Sequence, residues 1–316
     1  MKIVILDGYS VNPGDMSWEG LCQLGEVKVY DRTSPADVVE RSKGAEILIT
    51  NKTPLTGEML RQLPDCRFIS ILATGYNIVD VSEASALGIV VSNVPDYSTD
   101  SVAQSAMALL LTITNHVEDY AVENRSGRWS ECKDFCYWSH PLIELSGKLL
   151  GIIGYGNIGR ATARVAQALG MRVAVYSSKP QSELPGVTKM SMDDIFRKCD
   201  VVSLHCPLTP ETTGLINKER LEMMKSTAIL INTARGGLIN EQALAEALNS
   251  GKIYAAGLDV LSEEPPKNDN ALLSARNCYV TPHISWATVE ARKRLVTITE
   301  DNVKAFLAGN PINVVS

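Results

Sequence analysis

What this chain lacks narrows its class first. No apolar stretch approaches the roughly 18 residues that a membrane-crossing helix needs. The opening Met1-Lys2-Ile3-Val4-Ile5-Leu6-Asp7 holds one lysine and an apolar run too short for a secretion signal. The expectation is a cytoplasmic protein with no membrane partner. A basic excess is also missing: 30 Lys and Arg face 36 Asp and Glu, a formal net charge of −6. No cationic surface therefore argues for nucleic acid, and ligand recognition belongs in a pocket. The seven cysteines, Cys22, Cys66, Cys132, Cys136, Cys199, Cys206 and Cys278, are odd in number and unpatterned, and read as free thiols. Cys132 and Cys136 with His140 lack a second ligand pair at zinc spacing, so no metal centre is expected. Histidine is scarce, with four in 316 residues, which leaves few candidates for acid–base chemistry near neutral pH.

What is present is an ordinary globular composition, 45% hydrophobic and 21% charged, in a chain long enough for two domains. Apolar runs at Ile3–Leu6, Val27–Tyr30, Ile47–Ile49, Phe68–Leu72 and Ile89–Val91 predict buried strands. Between them Ala36–Ser42, Gly57–Gln62 and Val81–Leu87 read as helices. The alternation resumes at Arg172–Tyr176, Val201–Leu204, Ala228–Ile231, Ala255–Leu258 and Tyr279–Val280, with helical stretches such as Met192–Lys198 and Glu241–Asn249. Strand–helix alternation implies parallel sheets covered on both faces. A long apolar helix pattern, Ser101–Tyr120, separates the two α/β units, and Ala287–Leu307 closes the chain as another. If that last helix packs back on the first unit, residues 1–100 and 287–316 form one domain and 101–286 are inserted within it, with a cleft between the two. The loop Arg128–Leu145 is unusually aromatic, with Trp129, Phe135, Tyr137 and Trp138, and reads as a subunit contact or a site wall.

At mid-chain the run Gly154-Tyr155-Gly156-Asn157-Ile158-Gly159 follows an apolar strand and opens an Ala-rich amphipathic helix. That context turns a weak glycine pattern into a dinucleotide fingerprint. Gly154 would permit the tight turn, Gly156 the approach of a pyrophosphate, and Gly159 close packing of helix on strand. An NAD-preferring site ends the next strand in Asp or Glu. Here the strand Arg172–Tyr176 runs into Ser177-Ser178-Lys179 instead. No carboxylate repels a 2′-phosphate there, so NADP is expected to be tolerated beside NAD.

Redox chemistry on an alcohol or ketone needs a proton carrier as well as a hydride. His116 falls in the long helix pattern and His140 in the aromatic loop. His205 and His283 follow strands Val201–Leu204 and Tyr279–Val280, at the sheet end where open α/β folds bind ligands. A carboxylate to hold the ring is available in Asp259-Val260-Leu261-Ser262-Glu263-Glu264, and a cation for a carboxylate substrate in Thr233-Ala234-Arg235.

These runs, with Thr281-Pro282-His283 and Glu264-Pro265, resemble the D-isomer-specific 2-hydroxyacid dehydrogenase family over essentially the full length. The resemblance implies two Rossmann/flavodoxin-like parallel-sheet domains, the nucleotide-binding domain inserted into the substrate domain. It implies an NAD or NADP cofactor and a small 2-keto or 2-hydroxy acid substrate, such as hydroxypyruvate or glyoxylate. Arg235 would bind the substrate, His283 would exchange the proton, and Glu264, directly before the proline, would be preferred over Glu263 as its partner. His205, Cys206, Pro207, Thr212, Thr233, Ala234 and Asp259 would join the glycine loop and Ser177–Lys179 around the cofactor. Ala73-Thr74-Gly75-Tyr76-Asn77 matches the family's carboxylate cradle at Thr74, Gly75 and Tyr76, and Lys52 sits where a cation reaches the same place. A homodimer held by Ser101–Tyr120 and the aromatic loop is expected, with Trp138 extending toward the neighbouring subunit. Phosphoglycerate and D-lactate dehydrogenases are the alternatives within the family. The chain ends soon after its last helix, without the regulatory domain that many of the former carry. A nucleotide-sensing corepressor is the alternative from another class.

Overall fold

Continuous branched runs such as Ile47-Leu48-Ile49 lose all exposure because both sheet faces are covered. The computed structural model describes all 316 residues, which divide into two units: Met1–Ser98 with Ala287–Ser316, and Thr99–Trp286.

In the first unit, five strands, β1 (Lys2–Ile5), β2 (Glu26–Val29), β3 (Ile47–Thr50), β4 (Phe68–Ile71) and β5 (Val90–Ser92), form a parallel sheet ordered β2-β1-β3-β4-β5. Short helices α1 (Glu19–Cys22), α2 (Val38–Ser42), α3 (Gly57–Leu60) and α4 (Val81–Ala86) connect them. Side-chain caps start two: the Thr56 hydroxyl accepts from Met59 N–H, and Asp80 from Glu83 N–H. The strand order reverses direction between β1 and β3, a switch point at which parallel sheets open a crevice beyond their carboxyl ends.

The second unit opens with α5 (Thr99–Asn115) and α6 (Val117–Arg125). Its parallel sheet comprises β6 (Leu149–Ile153), β7 (Arg172–Tyr176), β8 (Thr188–Lys189), β9 (Val201–Leu204), β10 (Ile229–Asn232), β11 (Ala255–Leu258) and β12 (Cys278–Val280). The order is β12-β11-β10-β9-β6-β7-β8, the doubly wound arrangement with its switch point between β6 and β9. Helices α7 (Asn157–Ala168), α8 (Met192–Lys198), α9 (Lys218–Met223) and α10 (Glu241–Asn249) complete it. Ile152, Ala163 and Val175 pack on one face, with Leu110 of α5, and Ile153, Phe196 and Leu230 on the other.

The single helix expected over Ser101–Tyr120 is two helices. It ends at Asn115, and His116 takes a left-handed conformation with φ 50°. Thr114 Oγ1 and Asn115 Nδ2 donate to the carbonyls of Leu110 and Leu111, drawing on acceptors of the last turn. The left-handed residue then closes the helix. In the first unit, α11 (Val289–Leu307) is capped by Thr288 and stacks Phe306 on Phe68 with ring centroids 4.5 Å apart. No helix in the chain is long and apolar enough to cross a membrane.

Candidate active site

The glycine loop joins β6 to α7 at the switch point. Gly154 has φ +95°, and a Cβ there would lie 2.6 Å from the backbone of His205 and Cys206, so the loop and the end of β9 touch main chain to main chain. At Gly159 a Cβ would lie 2.3 Å from the Gly154 carbonyl, whereas at Gly156 it would meet nothing within 4 Å. The open space lies at the N-terminus of α7, where Gly156 supplies no side-chain cap and orphan N–H groups favour an anion. Arg160 stiffens the loop by donating to the Asn157 side chain. Thr233, at the end of β10, is buried with an unpartnered hydroxyl, a polar atom facing a missing partner. Ser177, Ser178 and Lys179 follow β7 without an acidic neighbour in the turn, and Ser177 Oγ accepts from Lys179 N–H. These features fit a dinucleotide: a pyrophosphate on the α7 terminus and a ribose at the end of β7. Thr212 turns inward to its own loop, donating to the Pro207 carbonyl at 2.8 Å.

Arg235, Glu264 and His283 sit on loops after β10, β11 and β12, three adjacent strands of the same sheet. Asn232 builds the first loop, accepting from Ala234 N–H at 3.0 Å and donating to the Arg235 carbonyl at 2.9 Å. The exposed Arg235 guanidinium donates to the Ala234 carbonyl. Gly236 brings this loop against the next, since a Cβ there would lie 1.9 Å from the Leu261 backbone. Glu264 Oε1 accepts from Leu261 N–H at 3.0 Å, and Oε2 stands 2.5 Å from His283 Nδ1. Glu263 instead pairs with Lys267 at 3.4 Å, so the carboxylate beside His283 is that of Glu264. Asp259, nearly sealed from solvent, accepts from Thr281 Oγ1, Ile284 N–H and Ser285 N–H. Its carboxylate shapes the His283 loop.

The other strand-end histidine is different in kind. His205 Nε2 lies 2.9 Å from Ser203 Oγ, and burial pushes its pKa down to about 4. A ring held neutral near pH 7 is a weaker acid than an imidazolium, and this one faces Ser203 beside the nucleotide loop. Cys206 beside it is also raised by burial, and Cys66, Cys199 and Cys278 are pushed up to about 12. All seven thiols are free.

In the first unit, Lys52 and the 74–76 turn follow β3 and β4. Asp7, which sequence reasoning passed over as part of an N-terminal run, fixes the Lys52 turn: its carboxylate accepts from the N–H groups of Asn51, Lys52 and Thr53 at 2.5–2.7 Å. Thr74 donates to the Val94 carbonyl at 2.9 Å, while the N–H groups of Gly75, Tyr76 and Asn77 donate to no protein acceptor. Asn51 Nδ2 reaches the Leu72 carbonyl and so ties the two turns together.

His140 joins neither Cys132 nor Cys136. Its ring stacks on that of His116 at 4.5 Å, while His116 Nδ1 lies 3.0 Å from Asp119. The ring planes are 20° apart, and one nitrogen of each imidazole and an Asp119 carboxylate oxygen lie within 4.8 Å of one another.

Residues 107–285 match the family described as D-isomer specific 2-hydroxyacid dehydrogenase, NAD binding domain. The chain is 52% identical to a hydroxypyruvate reductase of Blautia hydrogenotrophica, covering 100% of each. It is 44% identical to a glycerate dehydrogenase of Methylorubrum extorquens, covering 99% of this chain and 98% of the relative. Among solved structures, an acyclic imino acid reductase in complex with NADPH and D-Arg superposes with a TM-score of 0.87 at 30% identity, covering 100% of each chain. Together with a dinucleotide fingerprint at the switch point and an Arg, Glu and His on three adjacent strand ends, these matches make the chain a member of the D-isomer-specific 2-hydroxyacid dehydrogenases, nicotinamide-linked oxidoreductases.

Proposed function

We propose that the enzyme reduces hydroxypyruvate to D-glycerate, with glyoxylate as a second substrate, and that His283 is the proton donor. The contact between His283 Nδ1 and Glu264 Oε2 carries this reading. It fixes the ring and leaves Nε2 as the atom that holds and delivers the proton. The nicotinamide cofactor, when bound, supplies the hydride to the keto carbon. His283 Nε2 then gives its proton to the keto oxygen, which becomes a hydroxyl, and the carboxylate is unchanged. Arg235 offers a planar fork of donors suited to the substrate carboxylate and carbonyl. In the first unit taken by itself, the N–H groups of residues 75–77, which donate to no protein acceptor, and the Lys52 ammonium would suit a carboxylate.

Gly154–Gly159 would hold the pyrophosphate, with His205, Cys206, Pro207, Thr212, Thr233, Ala234 and Asp259 around the cofactor. Ser177, Ser178 and Lys179 would accept NADP as well as NAD. The substrate choice follows the two relatives named above, both matched over the whole chain. A panel of kcat/KM values for hydroxypyruvate, glyoxylate, pyruvate and phosphohydroxypyruvate tests it. A preference for the phosphorylated or methyl substrate would overturn it.

A homodimer is part of the same proposal. Between α5 and α7 runs a groove lined by Ala103, Met107, Leu111, Ala161 and Val165. The following loop leaves Phe135 89% and Trp138 74% exposed, large apolar rings that a second subunit would cover. Sedimentation at micromolar concentration tests it, and a stable monomer refutes it. Unchanged KM and kcat in Trp138→Ala would refute a role for that ring in the neighbouring subunit.

A further inference from the structure

His283 occupies the left-handed region, with φ 54°, which a side-chain-bearing residue holds only where its surroundings over-determine it. Its N–H donates to the Asp259 carbonyl at 2.8 Å, and its own carbonyl accepts from Trp286 Nε1 at 2.9 Å. Two residues on, the chain is gripped again. Ser101 Oγ donates to the Ser285 carbonyl at 2.5 Å, and Ser285 Oγ donates to Ser105 Oγ at 2.8 Å. Ser101 and Ser105 are one turn apart on the same face of α5, a 17-residue helix packed on α7, β10 and β11. A long, well-anchored helix thus meets the far end of the His283 segment through one carbonyl and one hydroxyl. Asp259 grips the segment along its length, its carbonyl taking His283 N–H and its carboxylate taking Thr281 Oγ1, Ile284 N–H and Ser285 N–H, and the α5 serines add the hold on the Ser285 carbonyl and hydroxyl.

We propose that Ser101, Ser105 and Ser285 are positioning residues that hold His283 in its left-handed conformation and so keep its ring on Glu264. This rests on the reading of His283 as proton donor. Misplacing a reacting group by a fraction of an ångström slows the chemical step while leaving nucleotide binding alone. A serine needed only for stability would lower the melting temperature without that signature.

The test uses the whole chain with hydroxypyruvate. Ser105→Ala deletes one hydroxyl at a half-buried position. It is expected to lower kcat roughly tenfold, with KM for the keto acid and the dissociation constant of the reduced nucleotide, read by its fluorescence, changed by less than about twofold. Ser105→Thr, which keeps the hydroxyl, is expected to recover most of kcat. Ser285→Ala breaks the same link from the other side, so the double variant should be no worse than either single one. Unchanged kcat in Ser105→Ala, while His283→Ala is inactive, overturns the proposal and leaves the reading of His283 intact. So does a loss in Ser105→Ala that Ser105→Thr does not recover, or one that adds fully to that of Ser285→Ala. Full activity in His283→Ala overturns both.

Discussion

Glu264 spans two loops: one oxygen accepts from Leu261 N–H at 3.0 Å and the other stands 2.5 Å from His283 Nδ1. The first contact aims the carboxylate and the second aims the imidazole. Glu241, on α10, secures the same loop by accepting from Ser262 N–H and the Asn270 amide. The carboxylate–imidazole pair is therefore held by backbone on one side and by a helix on the other.

His283→Ala is expected to remove about 10²–10⁴-fold of the reductive rate, the usual scale of general acid catalysis. Arg235→Ala should likewise abolish reduction nearly completely. Neither group is needed for the pyrophosphate, so nucleotide binding followed by fluorescence should persist in both. Full activity in the histidine variant would refute the assignment.

Glu264→Gln keeps the shape and removes the charge. Leu261 N–H can still be satisfied, but the amide no longer holds the ring nitrogen as a carboxylate does. A fall in kcat of roughly a hundredfold is expected, within the range of acid–base contributions, with the melting temperature nearly unchanged. Equal activity would show that another group orients His283.

The glycines of the fingerprint separate folding from binding. A Cβ at Gly156 meets nothing within 4 Å, while one at Gly159 collides with the Gly154 carbonyl. Gly156→Ala should therefore fold with an unchanged melting temperature but weaken nucleotide binding, by filling the space a pyrophosphate would use. Gly159→Ala should lower stability, since overpacking typically costs about 1–3 kcal/mol. Tight nucleotide binding in Gly156→Ala would argue against a pyrophosphate at this helix terminus.

Most strands were legible because a parallel sheet buries both faces and writes itself as apolar runs. Val27–Tyr30, expected as a buried strand, is instead the edge strand β2 with no buried residue, because only one side of it is paired. β8 was not legible, since Thr188 and Lys189 are two exposed polar residues, and α1 is a single turn. The break at His116 was hidden because the apolar pattern continues past it through Val117, which the structure leaves exposed. Arg235, Glu264 and His283 could be picked out as strand-end residues of suitable chemistry. Their supports could not: Asp7 reaches Asn51 across 44 residues and Ser285 reaches Ser105 across 180. No local pattern marks such pairs.

His205 makes stability depend on pH. Its folded-state pKa is about 4, against about 6.5 when unfolded. Between these values the unfolded chain binds a proton that the folded chain refuses. The contribution is present above about pH 6.5 and is lost as pH falls toward 4, to a total of about 3 kcal/mol. Urea unfolding of the parent and His205→Gln at pH 7.5 and pH 5 isolates it, because other titrating groups are common to both. The parent should lose more stability than the variant over this interval. Equal losses would show that the ring is not held neutral.

Cofactor choice turns on the end of β7. Ser177, Ser178 and Lys179 place hydroxyls and an ammonium where an NAD-selective fold places a carboxylate. The structure adds a second cation: Lys189, on β8 beside β7, donates from Nζ to the Lys179 carbonyl at 2.7 Å. Two lysines near one turn favour a 2′-phosphate, although neither has the fork of an arginine. The parent is accordingly expected to use NADPH within about tenfold of NADH in kcat/KM, a difference of about 1.4 kcal/mol. Ser177→Asp should favour NADH, because a fixed negative charge repels the phosphate and accepts from the ribose hydroxyls. Lys189→Ala should weaken binding of adenosine 2′,5′-bisphosphate, measured by calorimetry, while leaving 5′-AMP unaffected. A parent enzyme that rejects NADPH by a hundredfold would overturn this account of the strand end. In that case the two serines simply begin a turn, Lys179 faces water and Lys189 only braces the turn through the Lys179 carbonyl.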